Sequence, residues 1–183
     1  MLTPETKLLI EHWPAVEEII QAEANLRSQL AELLLSLKDD LVKTEWWSDD
    51  WNFIRQSDEQ IYIAHAKWRY KMTNYAIWIG IETFRASALF GKSAPPQFYV
   101  WTTLSEKPFI WDIRQLFRGK KILGSVEEMN SSYIVKHFLP KVLPGQSGDC
   151  EKPIRDRVVE FFSFYAKEEK AITEIVARQL KAK

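Results

Sequence analysis

The chain has 183 residues, 46% of them hydrophobic and 27% charged, with 25 basic side chains against 25 acidic ones. That much apolar material offsets chain entropy and excludes an intrinsically disordered chain, and the length fits a single domain over 1–183. Zero net charge argues against a protein that coats nucleic acid or an anionic membrane, and the lone Cys150 rules out an intrachain disulfide and fits a reducing, cytoplasmic setting.

The first residues, Met1-Leu2-Thr3-Pro4-Glu5, lack the basic start and apolar core of a secretory signal. Thr3-Pro4 reads as a helix start, with threonine as N-cap and proline at the first helical position, and a short helix is expected to about Trp13. Pro14 interrupts or restarts it. From Ala15, apolar residues recur at spacings of three and four: Val16, Ile19, Ile20, Leu26, Leu30, Leu33, Leu34, Leu37 and Leu41. An uninterrupted helix to about Val42 would be roughly 40 Å long at 1.5 Å per residue.

The middle of the chain changes character. Glu45 to Asp50 is a polar, aromatic connection, and Trp51 to Arg55 reads as a strand. Gln60 to Arg69 alternates, with Ile61, Ile63 and His65 on one face. Tyr75 to Thr83 carries apolar groups on both faces, the mark of a central strand. Gly91 to Pro96 is a loop. Gln97–Thr103 and Lys107–Trp111 read as a hairpin, completing an antiparallel meander of five strands over 51–111. Capping boxes at Asp112-Ile113-Arg114-Gln115 and Ser125-Val126-Glu127-Glu128 predict two further helices, the second ending before Pro140. Residues 143–150 are linker-like, and Pro153 opens a long last helix with Ile154, Val158, Phe161, Phe162, Tyr165, Ile172, Ile175, Val176 and Leu180 in its stripe. The expected fold class is therefore α+β: an antiparallel sheet packed against long amphipathic helices at both ends (helical 1–43 and 112–183).

Those two ends carry opposite charge. Residues 15–43 hold six acidic and three basic groups, net −3; residues 151–183 hold six and eight, net +2. They are expected to associate, within one chain or between two.

No enzymatic motif is complete. Gly91-Lys92-Ser93 resembles the end of a phosphate-binding loop, but Ala86 stands where that loop needs glycine. Gly145-Gln146-Ser147-Gly148 lacks the final glycine of a nucleophile elbow, having Asp149 there. His12, His65 and His137 have no metal-ligand spacing, and Glu45, Asp49 and Asp50 read as a solvated turn. No metal or cofactor is expected.

The one motif with binding character is Lys67-Trp68-Arg69-Tyr70-Lys71, cations interleaved with rings at an expected hairpin tip; such a pattern can hold phosphates and stack bases. Arg118, Lys120 and Lys121 form a second basic turn. The Trp-headed hairpin and Ile-Gly-Ile-Glu strand, within residues 51–82, resemble accessory domains attached to PD-(D/E)xK nucleases of bacterial defence systems. The nuclease signature itself is incomplete: His65-Ala66-Lys67, with Asp58 upstream, lacks its acidic residue before the lysine. Two functions follow as expectations. The first is a non-enzymatic protein-interaction module, with a protein partner or a second copy bound through the amphipathic helices. The second is a nucleic-acid or nucleotide-binding accessory protein.

Overall fold

The computed structural model describes residues 2–72, 74–120, 133–139, 141 and 150–181. The first helix, α1 (Pro4–Glu11), starts as its sequence requires: the Thr3 hydroxyl accepts the Thr6 N–H at 3.3 Å, and Pro4 takes a position whose N–H has no partner in any helix. Pro14 lacks the N–H that would extend this ladder, so the chain breaks at His12 and restarts as α2 (Trp13–Leu41). Leu30, Leu34, Leu37 and Leu41 bury the inner half of α2. Each such leucine stabilises the fold by about 2 kcal/mol relative to exposure.

Strands β1 (Trp51–Ser57) and β2 (Gln60–His65) form a hairpin. A 3-10 turn at Ala66–Trp68 leads to a small ribbon of β3 (Arg69–Lys71) and β4 (Asn74–Tyr75), and the central strand β5 (Ile77–Glu82) follows. The short α3 (Ala86–Leu89) precedes β6 (Gln97–Thr102), and α4 (Lys107–Phe117) precedes β7 (Tyr133–Phe138). Among the described residues the main sheet has five strands, in the order β1-β2-β5-β6-β7, all antiparallel. The chain closes with α5 (Glu151–Ala166) and α6 (Glu169–Lys181). The α+β class with a five-stranded antiparallel sheet is thus what the alternation pattern led one to expect.

Several elements differ from that expectation, among them the helix expected from a capping box at Asp112, which begins at Lys107 with Asp112 in its interior. Lys107–Trp111 is the start of α4, not a strand. Pro108 sits at its first turn, and Phe109, Ile113 and Phe117 recur every four residues to bury one side. The fifth strand is instead Tyr133–Phe138, where a helix before Pro140 was expected. Its Val135 and His137 pair with Val100 and Phe98, and this strand extends the sheet beyond residue 111. The expected capping box at Ser125, and the linker at 143–149, lie outside the described residues. The last helix is two helices, broken at Lys167-Glu168 with no glycine or proline. The break lets α5 pack on α2 while α6 packs on α4.

The opposite charges of the two ends are used within the chain. Arg155 of α5 reaches Asp40 at 2.7 Å and the Ser36 hydroxyl at 2.6 Å on α2, and Glu151 of its own helix at 2.8 Å. On the sheet, Ile61, Ile63, Ile77, Ile79, Ile81, Phe98 and Val100 face these helices and are fully buried. Phe161 meets Phe98 with ring centroids 4.4 Å apart. The opposite face carries Tyr62, Trp78, Tyr99 and Trp101, whose rings meet edge-on or tilted at 5.9–6.1 Å. Tyr62 lies over Gly80: a Cβ there would collide with Tyr62 Cδ1 and stand 3.0 Å from Ile61 O. Glycine at this point lets the ring press flat on the strand.

Candidate functional site

The basic hairpin read from the sequence divides between core and surface. Trp68 points inward and is fully buried. Its indole N–H donates to the Thr173 hydroxyl at 3.0 Å, and that hydroxyl donates to Glu169 at 2.8 Å. Its ring packs edge-on against Trp51 at 5.3 Å. A base cannot reach it, so the expected stacking role of Trp68 is replaced by a structural one. Lys67 turns toward Glu169, 3.8 Å away.

Arg69, Tyr70 and Lys71 stay at the surface, and these three do come together. They line one side of a groove of ≈ 470 Å³ whose other side is Thr103, Leu104, Ser105, Glu106 and Leu180. Arg69 donates to the Tyr75 hydroxyl at 2.9 Å, and Lys71 lies 5.4 Å over the Tyr70 ring. The second basic turn does not join them. Arg118 is the C-cap of its own helix, its backbone N–H donating to the Gln115 carbonyl and its guanidinium to the Gln115 amide oxygen at 3.5 Å; Lys120 pairs with Glu168, and Lys121 lies outside the described residues. Lys67 and Lys120 are thus held by the neighbouring acids Glu169 and Glu168 at the start of α6, where negative charge suits the helix dipole.

Two histidines sit in the core. His65 is 3% exposed and packs edge-on against Trp51, its Nδ1 accepting the Lys67 N–H at 3.4 Å. That bond places the ring proton on Nε2, which faces Asp50 at 3.8 Å. Burial holds its pKa below the usual histidine value, against the opposing pull of Glu169. His137 bonds the Tyr165 hydroxyl at 2.7 Å; burial pushes that phenol's pKa up, so it stays protonated. His65 packs against the rings of Trp51 and Trp68, and His137 against those of Phe161 and Tyr165. Among the described residues, no group of three or more His, Cys, Asp or Glu side chains is placed to hold a metal ion. In the resembled nuclease pattern, Asp58 pairs with Arg55 at the β1–β2 turn while Lys67 follows the opposite end of β2, so the two are not brought together.

The largest unsatisfied feature is the outer half of α2 together with α1. No residue from Leu2 to Ser28 is buried. Leu8, Leu9, Ile10, Trp13, Ile19 and Ile20 are each between 49% and 68% exposed. On α2 these do not scatter. Trp13 and Ile20 stand at the same place in a seven-residue repeat as the buried Leu34 and Leu41, and Val16 at the same place as the buried Leu30 and Leu37. The face that seats α2 on the body therefore continues outward for roughly 25 Å, and no described residue of α2 before Leu30 is buried. Glu23 and Arg27 fall in the same stripe where the helix leaves the body, beside Asp58, Glu59 and Arg85. Further out, Trp13 and Ile20 share an open surface patch of α2 with Glu17, Glu18 and Gln21, and the Trp13 indole donates to Glu17 at 3.0 Å.

The sequence pattern marked Val16, Ile19, Ile20 and Leu26 as apolar stripe but missed Leu8, Leu9, Ile10 and Trp13. The signal for these was a Leu-Leu-Ile run and a tryptophan in a segment too short to bury them by itself.

No protein-family model, no curated protein and no solved structure matches this chain.

Proposed function

We propose that this chain is a protein-interaction module that works through its N-terminal helical arm, residues 2–29, rather than through an active site. The observation that carries the reading is the uncovered continuation of the α2 core stripe. Isolated exposed apolar residues are common, but a contiguous stripe of this length is the mark of a surface built to be covered. Trp13, Ile19 and Ile20 on α2 are joined on the arm by Leu8, Leu9 and Ile10 of α1, all about half or more exposed. The docking mode is helix-in-groove or helix-on-helix, with anchors three and four residues apart. A cytoplasmic setting accords with the lone cysteine, and no helix of the described residues is long and apolar enough to cross a membrane.

The test is hydrophobic-dye fluorescence combined with light scattering at micromolar concentration. The arm should bind dye or mediate association, and Ile19→Glu with Ile20→Glu should abolish either signal without changing the helix content. A chain that binds no dye and remains a monomer overturns the reading.

A second reading rests on one specific feature, the groove lined by Arg69, Tyr70 and Lys71. It makes the chain a nucleic-acid or nucleotide-binding accessory of a separate enzyme, such as a bacterial defence nuclease. Trp68→Ala would damage the core, so the informative variant is Arg69→Ala with Lys71→Ala. Anisotropy with single-stranded DNA and RNA should show binding at low salt that this variant removes; absence of binding at low salt disposes of it.

A further inference from the structure

We infer that the partner seated on the arm is a basic amphipathic helix of another protein, not a second copy of this chain. The inference rests on the interaction reading above and names the occupant of that surface.

The arm is acidic where it is apolar. Between residues 2 and 29 the chain carries Glu5, Glu11, Glu17, Glu18 and Glu23 against Lys7 and Arg27, a net charge of −3. These residues are all exposed. Glu17 and Glu18 stand beside Trp13 and Ile20, and Glu23 and Arg27 fall in the stripe itself. An approaching helix therefore meets Trp13, Val16, Ile19 and Ile20 with carboxylates beside them, and an acid and a base where the stripe nears the body. The complementary surface is a leucine-type stripe bordered by lysine or arginine, whose long stems cover the apolar edge while their heads meet the carboxylates.

A second copy fits less well by either available route. Pairing arm with arm sets −3 against −3 across the contact. Pairing the arm with the body of another copy meets the compensating positive charge, since the chain as a whole is neutral. Among the described residues it finds no exposed apolar stripe there, since the aromatic face of Tyr62, Trp78 and Trp101 is half-buried and flat on the sheet. Outside the arm, the exposed large apolar residues among those described are Val42, Met72 and Trp111, one each after α2, at the ribbon tip and on α4. They form no stripe for a helix to lie in. Only a foreign segment supplies both an apolar stripe and positive margins.

The experiment titrates the full chain into two labelled helical peptides of the same leucine stripe, one bordered by lysine and one by glutamate, at low and high salt. The lysine peptide should bind, and its affinity should fall by about tenfold or more as salt screens the margin pairs. The glutamate peptide should not bind. Glu17→Lys with Glu18→Lys and Glu23→Lys should reverse the preference; all three sites are exposed, and unchanged far-ultraviolet dichroism confirms the fold. Trp13→Glu with Ile20→Glu should remove binding of both. If the two peptides bind equally, or if the chain self-associates more tightly as salt rises, the basic-helix inference is overturned while the arm remains an interaction surface. If neither peptide binds and the chain neither associates nor binds dye, the interaction reading itself falls.

Discussion

The two halves of α2 share one amphipathic pattern and meet opposite fates. From Leu30 to Leu41 the stripe is buried against β2 and α5, with Leu37 and Leu41 wholly inaccessible. From Trp13 to Ile20 the same stripe points into solvent. The inner half is anchored by Arg155 to Asp40 and Ser36, while among the described residues the side-chain bonds of the outer half are local, Trp13 to Glu17 and Gln21 to Asn25. Periodicity therefore identifies a face that needs covering without identifying its cover. What separates the halves is where the body ends.

The largest effect should come from comparing truncations along the stripe. Leu37→Ala should cost about 2–5 kcal/mol in urea unfolding, because a cavity remains in a packed core. Ile20→Ala should stay within about 0.5 kcal/mol. Similar losses at both positions would mean that the arm is covered in solution. Added volume should discriminate in the same way. Gly80→Ala should lose about 1–3 kcal/mol by forcing Tyr62 off β5, with Tyr62→Ala recovering part of the loss in the double variant. An enlarged residue on the arm, Ala15→Leu, should leave the unfolding midpoint unchanged.

Smaller effects sharpen the contrast. Arg155→Ala should lower stability by about 1 kcal/mol, with a double-mutant cycle assigning most of it to Asp40. Lys7→Ala on the arm should be silent. The pH dependence should also belong to the body. Burial depresses the folded-state pKa of His65 below its ordinary 6.5, with Glu169 and Asp50 pulling it up and Lys67 pushing it down. The unfolded chain then binds the proton first on acidification. Stability contributed by the neutral ring is complete above pH 6.5 and is lost as pH falls through the lower folded value. His65→Gln should flatten this part of the stability profile, while removing residues 2–12 should leave it unchanged.

Much of the fold was legible from local chemistry. Thr3-Pro4 specified the start of α1, Pro14 its break from α2, alternation placed β2 (though not its end at His65), and apolar groups on both faces placed β5. Those signals act through adjacent backbone groups or a single repeating face, so they survive in any context. The errors fall where a short apolar run fits two periods. Phe109-Ile110-Trp111 reads as a strand until Ile113 and Phe117 are buried with it, and Ile134-Val135 reads as a helix until it pairs with Val100. Of the binding motif, only Arg69, Tyr70 and Lys71 share a surface. Trp68 was drawn into the core by Thr173, more than a hundred residues away.

By itself the sequence determined the class of fold, the amphipathic character of its ends and the acidity of the N-terminal arm, because these depend on residue type and spacing alone. Only the tertiary structure decided which part of each stripe is covered, which aromatic rings are enclosed and which charges already have partners. Burial is a property of the whole assembly of elements: an apolar face is satisfied by whatever reaches it, and α5 reaches the inner half of α2 while no described segment buries the outer.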